Sequence, residues 1–300
     1  MDMTHNKCCR HGANLRRRRR RRRKILRSII FSCSIIAVAV FVAVGSRMIR
    51  SGDGRINKYD VEAGNNTYDN AVIENSKISE KNKIQNNQSM LDDIMNSTQY
   101  PKQLKDLALK NEEALEFVYD YPAEHVKEHT IDLTEEASMD SVPLFVQWDK
   151  RWGYEKYSGN FFAVSGCGPT TLSMVVVYLT HNREASPIAV AKYSKEAGYS
   201  VDGSGSSWTL ISEGCMHYGV KAKTVALDES RMKAELDEGH PIVVNVGPGD
   251  FTDTGHFMVI TGYDDEGFSI NDPNSIEKSG KRWLFKNISS QIRAVWSMYV

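Results

Sequence analysis

The feature that most constrains this chain is a run of 19 residues, 28–46, without a charged side chain ("SIIFSCSIIAVAVFVAVGS"). At 1.5 Å per residue, a helix of this length approaches the thickness of a bilayer core. Eight consecutive arginines, 16–23, precede the run, whereas Arg47 and Arg50 alone follow it closely. Because the side richer in positive charge stays in the cytoplasm, the sequence predicts a single membrane span with its N-terminus inside and the remainder outside.

The net charge of zero hides two regions of opposite sign. Residues 1–50 hold 14 Lys or Arg against one acidic residue, so residues 51–300 carry the balancing negative charge. An arginine run is also typical of nucleic-acid binding or nuclear targeting, but its direct junction with an apolar run disfavours that interpretation. A cleaved signal peptide is a second alternative, disfavoured by the length of the apolar run and the lack of a small-x-small cleavage site. We therefore expect a basic cytosolic tail (1–27), an uncleaved anchor (28–46) and no nucleic-acid partner.

Two segments of different composition follow the predicted anchor. Residues 47–99 are rich in Asn, Ser, Lys and acidic residues, which predicts a flexible stalk because such a segment buries too little apolar surface to offset its ordering entropy. From Tyr100 onwards apolar residues recur at helical spacing between Pro101 and Pro122, which predicts an amphipathic helix. These apolar residues are Leu104, Leu107, Leu109, Ala114, Leu115 and Val118. We interpret this helical lead-in (100–140) as structural support for the domain that follows.

The region 141–300 is long enough for one hydrophobic core. Its patterns predict helices at 169–181, 187–197, 207–218 and 229–238, followed by strands at 241–246, 257–263 and 268–271, with a last strand near 281–285. Helices that precede an antiparallel sheet indicate the α+β class. The region lacks a Walker phosphate loop, a dinucleotide GxGxxG, an HExxH and paired CxxC motifs, so we expect no cofactor and no metal.

The five cysteines separate by predicted compartment. Cys8 and Cys9 fall in the cytosolic tail, Cys33 in the span, and Cys167 and Cys215 outside. A disulfide between the last two would be an ordinary stabilising bond in an exported domain. Cys215, however, falls on one apolar stripe of the predicted third helix, together with Trp208, Ile211 and Tyr218. Cys215 is therefore interpreted as a core residue, which leaves Cys167 unpaired.

Cys167 lies in the stretch "SGCGPTTLSMVVVYLT" (165–180), directly before a strongly apolar helix. Gly166 and Gly168 allow a tight turn, and Pro169 suits the first turn of a helix. A thiol at a helix N-terminus faces unpaired backbone N–H groups and the positive end of the helix dipole, both of which favour the thiolate. The position is that of a candidate nucleophile, although a cysteine in a turn also occurs without function.

A nucleophilic thiolate needs an imidazolium partner and a group that orients the imidazole. His256 opens a predicted strand ("HFMVITGY") after a loop with several glycines, and the next strand ends in "INDPNS". A hairpin centred at Asp264 places Asp272 opposite His256. A hairpin centred near Glu266 places Asp272 opposite Ile260 instead and requires a bulge. Either Asn271 or Asp272 could orient the imidazole, but not both, because adjacent strand residues point to opposite faces.

Gln147, in "VPLFVQWDKRWG", lies twenty residues before Cys167. Its side-chain amide could donate to a developing oxyanion beside the backbone N–H of Cys167.

Together these segments resemble the C39-like cysteine peptidases, bacterial relatives of the papain fold, over about residues 100–300. The resemblance implies Cys167 as nucleophile, His256 as general base and acid, Asp272 as orienting residue and Gln147 as oxyanion donor. Better-studied members cleave leader peptides after a double glycine and are fused to an ABC transporter. This sequence contains neither a transporter nor a nucleotide-binding segment, so the resemblance implies the chemistry rather than the substrate.

We therefore predict a papain-like α+β peptidase domain (141–300) outside the cell, anchored by a single span and acting on peptide or protein substrates. Two alternatives remain at this point. One is a cell-wall amidase or endopeptidase that uses the same residues on peptidoglycan stem peptides. The other is a pseudo-enzyme that binds peptides or wall polymer without cleaving them.

Overall fold

The computed structural model describes the backbone of residues 65–300 and the side chains of residues 81–300. The chain divides into two units, Met1–Lys77 and Ile78–Val300, and every contact discussed below lies within the second. The predicted tail (1–27) and anchor (28–46) lie outside the described residues. Among the described residues, no helix is both long enough and apolar enough to cross a membrane.

A long helix, α1 (Asn65–Asn96), occupies much of the segment that the sequence predicts as a flexible stalk (47–99). The structure and the prediction differ here because the composition is polar along the whole segment, so no amphipathic stripe marks a helix. The end of α1 is held by packing: Ile94 is completely buried, and Met90 and Leu91 contact the same apolar cluster.

The single helix predicted between Pro101 and Pro122 is a series of short ones. It comprises α2 (Lys102–Lys110), a 3-10 turn (Glu112–Ala114), α3 (Leu115–Tyr119) and α4 (Tyr121–Glu124). Asn111 interrupts the series with an extended backbone (φ −135°, ψ 99°), and its side chain accepts a hydrogen bond from the backbone N–H of Glu113. Pro122 does not end the segment because it lies in the first turn of α4, where a missing N–H costs nothing.

The lead-in packs on the domain that follows, as its apolar spacing predicts. Leu104, Ala114 and Val118 are completely buried in a cluster that also includes Phe161 and Ala163. Leu109 is an exception: 56% of its surface is exposed, because it lies on the side of α2 away from the buried Leu104 and Leu107.

The remaining helices are α5 (Thr134–Ser138), α6 (Phe162–Ser165), α7 (Cys167–Thr180), α8 (Pro187–Glu196), α9 (Thr209–Ser212), α10 (Glu229–Asp237), α11 (Ile276–Ser279) and α12 (Phe285–Ile288), with 3-10 turns at Gly214–Tyr218 and Ser289–Gln291. The helices predicted at 169–181, 187–197 and 229–238 correspond to α7, α8 and α10. The helix predicted at 207–218 is broken at Glu213 (φ −127°, ψ −46°) into α9 and a 3-10 turn.

The strands are β1 (Lys156–Tyr157), β2 (Asn160–Phe161), β3 (Ser200–Val201), β4 (Gly205–Ser206), β5 (Lys221–Thr224), β6 (Ile242–Val246), β7 (His256–Asp264), β8 (Gly267–Asn271), β9 (Arg282–Trp283) and β10 (Ile292–Tyr299). Strands β5 to β10 form one antiparallel sheet in the order β5-β10-β6-β7-β8-β9. The result is the predicted mixture of helices and an antiparallel sheet. The sequence prediction missed β5 and β10, although β10 lies inside the sheet between β5 and β6.

Apolar clusters cover both faces of this sheet. On one face, Val243, Phe257 and Val259 pack with Leu172, Val175 and Val176 of α7. On the other face, Ile242, Val244 and Met258 pack with Met232 of α10. Helix α7 therefore packs against β7, the strand that begins at His256.

The hairpin between β7 and β8 has neither of the two predicted registers. Asp264 pairs with Gly267 across a two-residue turn, and a bulge shifts the register between Ile260 and Gly262. Beyond the bulge Ile260 pairs with Ile270, and Val259 pairs with Asn271. Asp272 therefore follows the last paired residue of β8, opposite neither His256 nor Ile260.

Candidate active site

Cys167 begins helix α7 and is partly buried, with Gly166 in the capping position. The two flanking glycines are required by close packing rather than by a strained turn. A Cβ on Gly166 would lie 2.6 Å from the carbonyl oxygen of Phe162, and one on Gly168 would lie 2.5 Å from Oγ of Ser206. Gly166, at the turn between α6 and α7, has φ −85°, which any residue adopts, so this turn does not depend on the conformational freedom of glycine.

His256 and Asp272 contact each other directly although the hairpin register offsets them. Nε2 of His256 lies 2.7 Å from Oδ1 of Asp272, and both side chains are buried. The same Oδ1 accepts a hydrogen bond of 2.8 Å from the backbone N–H of Asn274. This bond from residue 274 to residue 272 closes an Asx turn, which directs the carboxylate back towards the start of β7.

The electrostatics of Cys167 and His256 favour their charged forms. Burial by itself raises the pKa of the Cys167 thiol, but the hydrogen bond and charge of His256, with the backbone N–H groups of Phe257 and Gly168, lower it below its usual value overall. Burial lowers the pKa of His256, but the charge and hydrogen bond of Asp272, aided by Cys167, raise it to about 10. Because Nε2 contacts Asp272, Nδ1 is the ring nitrogen that is available to interact with Cys167.

Asn271, the alternative orienting residue, points elsewhere. Its Nδ2 donates to the carbonyl oxygens of Val142 and Pro143, at 3.1 and 3.0 Å. The structure therefore brings Asp272, and not Asn271, to His256.

Gln147 is buried and borders the same cleft as Cys167 and His256. Its Nε2 donates to the carbonyl oxygen of Ala163 at 2.7 Å, and its backbone N–H donates to the carbonyl of Pro273 at the same distance. A primary amide carries two N–H groups, so one remains for a further acceptor. That this group binds an oxyanion stays a prediction.

The cleft has a volume of about 370 Å³. Its lining includes the loop 249–255, which carries Asp250 and Asp253, together with Lys110, Asn274 and Lys278. Cys167, Gln147 and His256 line the same cleft. A substrate that enters the cleft would therefore meet both acidic and basic side chains.

Cys215 and three further histidines of the domain, His181, His217 and His240, have structural contacts. Cys215 is completely buried, forms no disulfide with Cys167, and has its pKa raised to about 11 by burial, which confirms it as a core residue. Nδ1 of His181 lies 2.7 Å from the carbonyl oxygen of Ala137. His217 stacks on Tyr193 with ring centres 4.0 Å apart, and His240 pairs with Glu235.

Asn274 is a site residue that the sequence reasoning missed. The sequence "DPN" could have indicated this turn, because an Asp followed two residues later by a backbone donor is typical of an Asx turn.

The chain is similar to one protein family and to several solved structures. The model of the Peptidase_C39 like family matches residues 139–300. The peptidase domain of Streptococcus ComA, a bi-functional ABC transporter involved in a quorum sensing pathway, is 19% identical, with a TM-score of 0.37 over 45% of this chain and 90% of that domain. A structure described as a C39-like peptidase from Bacillus anthracis is 16% identical, with a TM-score of 0.33 over 53% of this chain and 95% of its own. None of the curated proteins matches the chain significantly.

Proposed function

Since the chain belongs to the Peptidase_C39 like family, we propose that it is a cysteine peptidase of the papain-like type, which hydrolyses peptide bonds through an acyl-enzyme. In this proposal Cys167 is the nucleophile, His256 the general base and acid, and Asp272 the residue that orients His256. The observation that carries it is the 2.7 Å contact of His256 with Asp272 at a cleft that Cys167 also lines, where His256 lowers the pKa of the thiol.

Acylation begins with the thiolate of Cys167 and the imidazolium of His256. Sγ attacks the carbonyl carbon of the substrate and forms a C–S bond, while the carbonyl oxygen takes up the negative charge. When the C–N bond breaks, Nδ1 of His256 gives its proton to the leaving amine. The first product leaves as an amine, and the acyl group remains on Cys167 as a thioester.

Hydrolysis of the thioester restores the enzyme. Neutral His256 accepts a proton from water, and the resulting hydroxide attacks the thioester carbonyl. The C–S bond then breaks, so that the acid product leaves and Cys167 returns as the thiolate beside imidazolium. Asp272 remains ionised and stabilises the imidazolium whenever it forms.

Two donors are suited to the oxyanion of both steps. The first is the backbone N–H of Cys167 at the start of α7, where N–H groups have no partner within the helix. The second is the remaining N–H of Gln147, whose other hydrogen is held by the carbonyl of Ala163. Both groups are fixed before substrate enters, so little reorganisation is needed as the charge develops.

We further propose that the peptidase domain lies outside the cell on a single-pass anchor formed by residues 28–46. The support is in the sequence: an uncharged run of 19 residues with eight arginines on its N-terminal side.

The proposed activity is tested with a proteome-derived peptide library, by comparing the wild-type chain with Cys167→Ala. We expect new peptide termini with the wild type and none with Cys167→Ala. Purified peptidoglycan serves as a parallel substrate. Cleavage of peptidoglycan alone would replace the proposal with a cell-wall enzyme, and the absence of Cys167-dependent cleavage from both would leave a binding protein.

A further inference from the structure

Residues 273–277, which directly follow Asp272, are held by side chains of the lead-in. Nδ2 of Asn111 donates to the backbone oxygen of Asn274 at 2.9 Å and to its side-chain oxygen at 3.1 Å. Asn274 in turn donates its backbone N–H to Oδ1 of Asp272. A continuous series of hydrogen bonds therefore runs from Asn111 through Asn274 and Asp272 to His256.

Glu113 holds the second half of the same segment. Its Oε2 accepts the backbone N–H groups of Ile276 and Glu277, at 2.7 and 3.0 Å, and its Oε1 accepts from the hydroxyl of Ser275. Three donors on one carboxylate form a strong, charge-assisted contact between segments more than 160 residues apart in sequence.

We propose that Asn111 and Glu113 are positioning residues, which set the orientation of Asp272 against His256 by fixing the backbone of residues 273–277. The inference rests on the proposed function, because it gives the lead-in a role in the same site. Both residues lie outside the segment 139–300 that matches the family model. In this proposal the lead-in supports the domain and also completes the site.

The contact with the lead-in acts together with bonds inside the domain, among them the one from the backbone N–H of Gln147 to the carbonyl of Pro273 at 2.7 Å. Within the domain, Nε1 of Trp148 donates to the carbonyl of Asn274 at 3.2 Å, and Oγ of Ser279 accepts from the backbone N–H of Asp272. Displacement of a reacting group by about 1 Å can cost up to about a hundredfold in rate, so a modest shift of the turn would be measurable.

Two substitutions test the proposal with opposite changes in charge. Asn111→Asp keeps the oxygen that accepts from the N–H of Glu113 but loses the donor to Asn274, and it adds a negative charge. Glu113→Gln weakens the contact with residues 275–277 and removes a negative charge. Glu112→Gln is the matched control, since it removes the same charge from a neighbouring residue whose contact is Nδ2 of Asn87, at 2.7 Å.

The first readout is the pH dependence of the alkylation of Cys167 by iodoacetamide in the full-length chain, followed by peptide mapping. A displaced Asp272 stabilises the imidazolium less, so the alkylation midpoint should rise by about one pH unit in both Asn111→Asp and Glu113→Gln. It should stay at the wild-type value in Glu112→Gln. The charged cleft residues Lys110, Lys278, Asp250 and Asp253 are the same in all variants.

The second readout is turnover of a cleaved peptide, for which we expect kcat to fall about tenfold with KM nearly unchanged. Thermal unfolding shows whether each variant is folded, and Trp148→Phe, which removes another donor to Asn274, replaces any variant that is not. The proposal would be overturned if the alkylation midpoints of Asn111→Asp and Glu113→Gln both stay at the wild-type value. It would also be overturned if the two midpoints move in opposite directions, following the sign of the change in charge. Because alkylation needs no substrate, this outcome is separate from failure of the proposed peptidase activity.

Discussion

Nε2 of His256 and Oδ1 of Asp272 lie 2.7 Å apart, in a contact that leaves His256 6% exposed and Asp272 completely buried. Water therefore screens this pair little, and the carboxylate raises the pKa of His256 despite the opposing effect of burial. Because this contact occupies Nε2, Nδ1 remains available to Cys167 in the proposed mechanism.

The first prediction concerns Asp272 itself. We expect Asp272→Ala to lower kcat by roughly two to four orders of magnitude, because the imidazolium loses its counter-charge and its orientation. Asp272→Asn should keep more activity than Asp272→Ala, since an amide oxygen can still accept from Nε2. Steady-state kinetics of the purified variants measures both effects.

Asn271→Ala is the matched control for this series. Asn271 bonds the carbonyls of Val142 and Pro143, so its loss should cost under about tenfold in kcat and act mainly on stability, by about 1 kcal/mol. A crippled Asn271→Ala beside a nearly wild-type Asp272→Ala would show that the orienting residue is assigned wrongly.

The second prediction separates the histidines. His256→Ala should abolish turnover, whereas His181→Ala and His217→Ala should leave kcat nearly unchanged. The reason is that His181 bonds the carbonyl of Ala137 and His217 stacks on Tyr193, both away from the cleft residues. Loss of turnover in either control, with thermal unfolding unchanged, would disprove the assignment of His256 as the base.

The third prediction is the pH dependence of kcat/KM. The reactive pair needs Cys167 ionised, which holds above its lowered pKa, and His256 protonated, which holds below about 10. Activity should therefore extend through neutral pH and decline as the pH rises through about 10. An alkaline limb near 6.5, the ordinary pKa of histidine, would mean that Asp272 does not sustain the imidazolium.

The fourth prediction concerns topology. If residues 28–46 form an anchor with the arginines inside, protease added to intact cells should remove the chain beyond Arg47 and leave the arginine-rich tail protected. Immunoblotting with tags at the two ends distinguishes the fragments, and lysed cells are the control. A protected C-terminal domain would contradict the proposed orientation.

Much of the fold could be predicted because local signals agreed with the final packing. The start of α8 carries both Ser186 as a cap and Pro187 in the first turn, and Asp228 caps α10 in the same way. Strand β6 is buried on both faces, which matches its sequence IVVNV, apolar except for Asn245. Cys167 and His256 were recognisable because each begins an element with a strong pattern of its own.

The missed parts depend on contacts between distant residues. Strand β10 ("IRAVWSMY") shows no regular alternation because most of its residues are buried on both faces, and β5 ("KAKT") is mostly exposed. The hairpin register depends on a bulge after Ile260, which Gly262 inside the strand suggests but does not fix in register. Likewise, nothing in the lead-in sequence indicates that Asn111 and Glu113 contact residues 274–277.

The most direct test of the central claim is the rate at which iodoacetamide alkylates Cys167 and Cys215 at pH 6. Peptide mapping separates these two sites from Cys8, Cys9 and Cys33. Cys167 has a lowered pKa, whereas Cys215 is buried with a pKa of about 11. We predict that Cys167 reacts at least about 100-fold faster in the wild type, and that His256→Ala removes most of this advantage. Equal, slow rates at the two cysteines in the wild type would contradict a thiolate–imidazolium pair and, with it, the proposed peptidase.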